Sequence, residues 1–237
     1  MKIPPYYSIA ILLMIATTSY GQFGIRIKYN NNSYDNWSKV FQNTTQDKNL
    51  QIYHSGYEAG LDYWFRLKDR RIEFLPEISY SYAQNDLSKY QGLINTAIST
   101  LNFNFHTQIY ALDMEGDCDC PTFSKQGPSI NKGLFFHFTP GIGYYKTSIK
   151  LDEPSFISGR NVDGLVFRAG LGIGLDVGFS DLLTVTPIVS YYFHSKQQWE
   201  GMPADEDILI NESDNPGILQ FTLRFGFRPD YKYGRRR

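Results

Sequence analysis

Long hydrophobic runs are what this chain of 237 residues lacks most plainly. Beyond residue 21 it has no stretch of about 18 apolar residues, which excludes a transmembrane helix from that part. Cysteine is nearly absent: Cys118 and Cys120 are the two present, both in one DCDCP stretch, so no disulfide framework staples the fold. Charge of one sign is missing as well. A net charge of -1 gives no electrostatic footprint for nucleic acid, and no nucleic-acid partner is expected. Helical spacing of apolar residues is scarce, which leaves strands to carry the fold.

Aromatic residues are abundant instead, at 16% with 18 Tyr and 17 Phe, as in proteins that set many amphipathic rings at an interface. The start, MKIPPYYSIAILLMIATTSYGQ, reads as an export signal. Lys2 supplies the positive region, Ile9 to Ala16 an apolar stretch too short to span, and Ser19-Tyr20-Gly21 a small-residue exit. A cleaved leader over 1–21 is expected, with the remaining domain over 22–237.

Alternation of period two runs through that remainder in eight segments. Phe23, Ile25, Ile27 and Tyr29 share one face, opposite Gly24, Arg26 and Lys28. Tyr57 to Leu67 and Ile72 to Tyr82 follow around a tight Lys68-Asp69-Arg70 turn, then Leu101 to Ala111 and Leu134 to Tyr144. Leu165 to Val177 is the clearest, its apolar residues separated by Arg168, Gly170, Gly172, Gly174 and Asp176. Leu183 to Phe193 and Leu219 to Phe227 complete the set. Long polar segments join strands 1 to 2, 3 to 4, 5 to 6 and 7 to 8, whereas two of the other three connections are tight turns. That asymmetry predicts an all-β, eight-stranded, antiparallel, up-and-down transmembrane barrel.

Alternation alone does not say which face is inside; volume does. Eight strands enclose room for a filling of side chains or one small ligand, far less than the large apolar faces need. The apolar faces are therefore expected to meet lipid rather than enclose a secreted barrel's ligand, and the barrel to close because no edge can stay unpaired in hydrocarbon. Glycines and the charges Arg26, Glu58, Asp62, Arg66, Glu73, Glu77, Arg168, Asp176 and Arg224 then line the lumen. A salt-bridged plug is the expected result, with a narrow pore as its alternative. On this orientation Leu171→Arg costs about 2–4 kcal/mol at the bilayer midplane, and Gly172→Ala, on the lumen face, less.

Pro76, Pro140 and Pro187 open three similar phrases, PEISY, PGIGY and PIVSY, on strands 3, 5 and 7. Because Pro gives up a ladder hydrogen bond, a bulge or boundary is expected at each. With the leader ending YGQ, the eight alternating strands and the final FTLRFGF, the chain resembles the small outer-membrane barrel family that includes the OmpA transmembrane domain, OmpX and the PorT-like proteins. Its last strand is similar to those read by the barrel-assembly machinery, although the chain continues past Phe227 with RPDYKYGRRR. The resemblance implies an outer-membrane location with both termini periplasmic, and PorT-like kinship implies an accessory role in an envelope or secretion complex.

Candidate chemistry is thin. Cys118 and Cys120 fit a strained local disulfide or structural turn, a partner-docking element, or a soft-metal or redox pair. Structural zinc wants four ligands, so no metal is expected. Of the four histidines, His54, His106, His137 and His194, the last adjoins Ser195, and a lipid or peptide hydrolase would use that pair with Glu58 or Glu200 as orienter. A satisfied lumen or loop histidine is the competing reading. The acidic ADEDILINESD segment, the Tyr- and Asn-rich first loop and the basic tail remain as surface signals. The leading expectation is a non-enzymatic structural or interaction protein without cofactor, its partners being outer-membrane lipids and an envelope protein.

Overall fold

A computed structural model describes residues 22–67, 70–90, 93–112, 114, 129–151, 161–179, 183–205 and 208–227. The expected leader, Cys118, Cys120 and the tail after Phe227 lie outside the described residues. The elements are β1 (Gln22–Ser33), α1 (Asp35–Thr45), β2 (Ser55–Arg66), β3 (Ile72–Asp86), β4 (Leu93–Ile109), α2 (Ser129–Gly133), β5 (Leu134–Leu151), β6 (Val162–Leu175), β7 (Val177–Gly178), β8 (Leu183–His194), β9 (Gln197–Asp205), β10 (Ile208–Asp214) and β11 (Gly217–Phe227).

Strands β1 to β6, β8 and β11 form a closed, antiparallel, eight-stranded barrel. Closure comes from β11, which pairs with β8 on one side and β1 on the other, Phe23 facing Phe227 and Ser33 facing Gly217. Both ends of the described barrel chain therefore lie at the short-turn end. At the opposite, long-loop end, β9 and β10 form a separate hairpin, and α1 packs against it.

Alternation sends side chains to opposite faces, and here the apolar set points out. Ile25, Leu61, Ile78, Phe103, Leu171 and Val189 are all exposed, whereas Arg26, Lys28, Glu58 and Glu77 are at most 2% exposed. Tyr29, Tyr57 and Tyr82 stand in register on β1, β2 and β3 towards the long-loop end, forming part of an aromatic girdle.

The three prolines produce no bulge. Each interrupts the ladder to one neighbour while register continues across the gap. Between β2 and β3 pairing stops after Asp62↔Glu77 and resumes unshifted at Phe65↔Phe74, with Pro76 in the gap. Between β4 and β5 it skips from Asn104↔Gly141 to Thr107↔Phe138 around Pro140. The β6 pairing ends at Gly174↔Ile188 and β7 resumes it at Val177↔Val185, spanning Pro187. A missing N–H removes a bond but adds no residue, so the strands lose pairing without slipping.

Three strands run further towards the long-loop end than the apolar alternation predicts: β3 to Asp86, β4 from Leu93 and β5 to Leu151. Over these extensions the polarity of the two faces reverses. Ala83, Ile98, Tyr145 and Ile149 point inward and are buried, while Gln84 and Lys146 point outward. The barrel wall thus changes from apolar outside to apolar inside partway along the same strands.

Candidate functional site

The lumen is filled in layers. At the long-loop end a hydrophobic cap joins α1, the β9–β10 hairpin and the inward faces of the strand extensions. It contains Tyr34, Trp37, Phe41, Ile52, Tyr53, Ile98, Tyr145, Ile149, Val166, Trp199 and Met202. Trp37 stacks on Tyr34 at 5.1 Å between centroids and meets Trp199 edge-on at 5.3 Å. Burial pushes the Tyr34 and Tyr53 phenols up from their ordinary range, which keeps both rings neutral.

Helix α1 has an unusual start. Its N-cap, Tyr34, supplies no side-chain cap, and the free N–H groups of Asn36 and Trp37 donate to Asp214 Oδ2 at 2.8 and 3.1 Å. A carboxylate from β10 thereby does the work of a local Ser or Asp cap. Asp47, after the helix, accepts a hydrogen bond from the Tyr90 hydroxyl at 2.5 Å and so ties the first loop to the β3–β4 loop.

Below the cap lies an ion-pair lattice. Asp62 accepts from Arg224 through both oxygens at 2.7 Å and from Arg26 Nε at 2.7 Å. Lys28 Nζ bridges Glu58 and Glu77, 2.7 Å from each. Glu58 also takes Ser79 Oγ at 2.6 Å and Gln220 Nε2 at 3.1 Å, with Arg168 Nη1 at 3.5 Å. Arg168 lies over the Tyr192 ring, 4.2 Å from its centre. Inward glycines make room for these groups across the strands: a Cβ on Gly24 would lie 2.6 Å from Arg224 and Asp62, and one on Gly60 2.2 Å from Glu77.

A second hydrogen-bonded chain leaves Glu77. Its Oε2 lies 2.7 Å from His106 Nε2, while His106 Nδ1 lies 2.9 Å from His137 Nε2 and His137 Nδ1 lies 3.0 Å from Ser190 Oγ. A carboxylate only accepts, so the proton of a neutral His106 sits on Nε2 and its Nδ1 accepts in turn. Towards the short-turn end Tyr110, Phe135 and Ile188 form a small apolar cluster. The Tyr110 hydroxyl, with one proton to donate, lies within hydrogen-bond distance of Glu73 and Asp176, Thr186 bonds Asp176, and the Arg71 guanidinium lies 4.3 Å from the Tyr110 ring centre.

Of the lumen charges expected from sequence, Arg26, Glu58, Asp62, Glu77, Arg168 and Arg224 meet in the lattice, and Glu73 and Asp176 meet at Tyr110. Arg66 pairs with Glu73 through the backbone register of β2 and β3. Sequence reasoning missed four participants. Lys28 was visible on the inward face of β1, and His106 and His137 share the inward parity of Asn104 and Gly141. Arg71 precedes β3 and carried no strand signal.

His194 and Ser195 are not brought together. His194 Nδ1 lies 3.2 Å from the Pro216 carbonyl, and Ser195 Oγ accepts the Phe167 N–H at 2.9 Å. Glu58 is engaged in the lattice. Among the described residues no group of three or more His, Cys, Asp or Glu side chains could hold a metal ion.

No protein-family profile matches the chain, and no curated protein matches it. Solved structures do. Neisserial surface protein A is 9% identical, with a TM-score of 0.44, covering 89% of this chain and 97% of that one. Ail, the attachment invasion locus protein of Yersinia pestis, is 10% identical with a TM-score of 0.46, covering 87% and 97%. The outer-membrane protein OprG of Pseudomonas aeruginosa is 12% identical with a TM-score of 0.42, covering 87% and 95%.

Proposed function

We propose that this chain is a non-enzymatic outer-membrane β-barrel that does not conduct and that serves as a structural or docking element of the cell envelope. One observation carries the reading: a continuous exposed apolar wall surrounds an interior of paired charges sealed at one end by an aromatic cap. Water favours the reverse arrangement, and hydrocarbon favours this one. Among the described side chains, Arg26, Lys28, Arg71, Arg168 and Arg224 face Glu58, Asp62, Glu73, Glu77 and Asp176 inside, so buried cations meet buried carboxylates. Such a filling supports a plug that fixes strand register.

The ends of the described barrel chain, Gln22 and Phe227, lie at the short-turn end, which supports a periplasmic placement for both termini and an outward-facing cap. The accessory role in an envelope or secretion complex rests on PorT-like resemblance together with a lumen filled by buried, paired charges. Cys118 and Cys120, between β4 and β5 in sequence, are then a candidate docking element for such a partner. The test is expression of the full chain followed by membrane fractionation, single-channel recording in planar bilayers and isolation in mild detergent. Recovery with outer membranes, no steady conductance and a stoichiometric envelope protein are expected. A soluble monomer or a stable open channel would overturn the proposal.

A further inference from the structure

Between the cap and the ion-pair lattice lies a chamber of about 30 Å³. Its lining includes Asn32, Glu58, Asn102, Arg168 and Gln197, and Tyr34 forms part of its roof. Several polar atoms there are buried without a protein partner: Asn32 Oδ1, Asn102 Nδ2, Arg168 Nε and Nη2, and Gln197 Oε1. The four side-chain owners are each at most 6% exposed. Leaving such atoms bare costs about 1–3 kcal/mol apiece, so something occupies the space.

The chemistry of the lining selects the occupant. A bare anion would suit Arg168 and Asn102 but would face Glu58 and two amide oxygens. A bare cation would suit those oxygens but would face the guanidinium. Water donates and accepts at once, and a cavity of this size holds about one or two molecules. We infer that the chamber is a built hydration site, in which ordered water joins Arg168 and Asn102 to Asn32 and Gln197 and so couples the lattice to the cap.

Asn32 and Tyr34 line both the chamber and a larger groove of about 290 Å³ beside Lys39, Gln51 and His54.

Crystals of the full chain in detergent, grown and then soaked in sodium bromide, test the assignment. The expected result is one or two density peaks within hydrogen-bond distance of the four side chains, without anomalous bromine signal, and loss of at least one peak in Asn102→Leu. Water-to-side-chain nuclear Overhauser effects on the same protein in micelles give a second readout that needs no crystal. An empty chamber, a bromide peak at Arg168, or unchanged peaks in the variant would overturn the inference.

Discussion

At the residue scale, two neighbours on β6 separate the faces most sharply. Leu171 is exposed in the apolar wall, and Leu171→Arg is predicted to cost about 2–4 kcal/mol in urea unfolding from lipid vesicles. The sequence alone ranks Gly172→Ala as milder, and the geometry corrects that ranking. A Cβ on Gly172 would sit 2.3 Å from the Val189 carbonyl oxygen as well as from Ser190 Oγ. Backbone must move to admit it, so Gly172→Ala is predicted to cost about 1–3 kcal/mol by overpacking, a comparable loss by the opposite route. The same unfolding titration checks both. Which residues point inward was legible from parity, because a strand gives no choice. Which of them touch was not, because the contact of Asp62 with Arg224 depends on pairings between strands distant in sequence and that of Glu77 with His106 on the register of β3 against β4.

At the element scale, the barrel strands were legible only where apolar residues face out. Past Tyr82, before Leu101 and past Tyr144 the same strands continue with apolar residues inward, and a pattern searched in one phase stops there. Helix α1 escaped for a different reason. Its Asn- and Thr-rich sequence has weak helical propensity, and it is held by Asp214 and by the cap rather than by itself. Trp199→Ala is therefore predicted to remove about 3–5 kcal/mol of packing from the cap alone. Limited proteolysis should then cut near residues 35–50 while the barrel keeps its heat-modifiable migration on gels.

The cap also carries a pH dependence. Burial outweighs the backbone N–H bonds from Trp37, Asn36 and Asn215 and holds the Asp214 carboxyl above its usual range. A raised folded-state value means that Asp214 contributes most below the unfolded carboxylate range and that this contribution is lost as pH rises through the folded value. Asp47 acts oppositely. The Tyr90 hydroxyl and the Asn49 N–H hold it low, so its contribution is present at neutral pH and lost in acid. Asp214→Asn keeps an acceptor for α1 while removing the titration. Protease protection of the cap in the variant, measured from the acid carboxylate range to neutrality, is predicted to lack the weakening with rising pH that the parent shows.

At the scale of the whole molecule, fold class followed from what the chain cannot do. It cannot hide its apolar wall inside eight strands, and it cannot leave an edge unpaired in lipid. The sealing of the lumen was only half legible: the charges were visible, but the cap is assembled from loops whose sequences look merely polar. The central claim is the inside-out arrangement, and one measurement reaches it directly. Nitroxide labels are placed singly at Leu61, Ile78, Leu171 and Val189 of a chain carrying Cys118→Ser and Cys120→Ser, reconstituted in vesicles, and read for collision with oxygen and with a water-soluble nickel chelate. All four sites are predicted to favour oxygen, as positions in hydrocarbon do; preferential collision with the nickel chelate at these sites would contradict the arrangement.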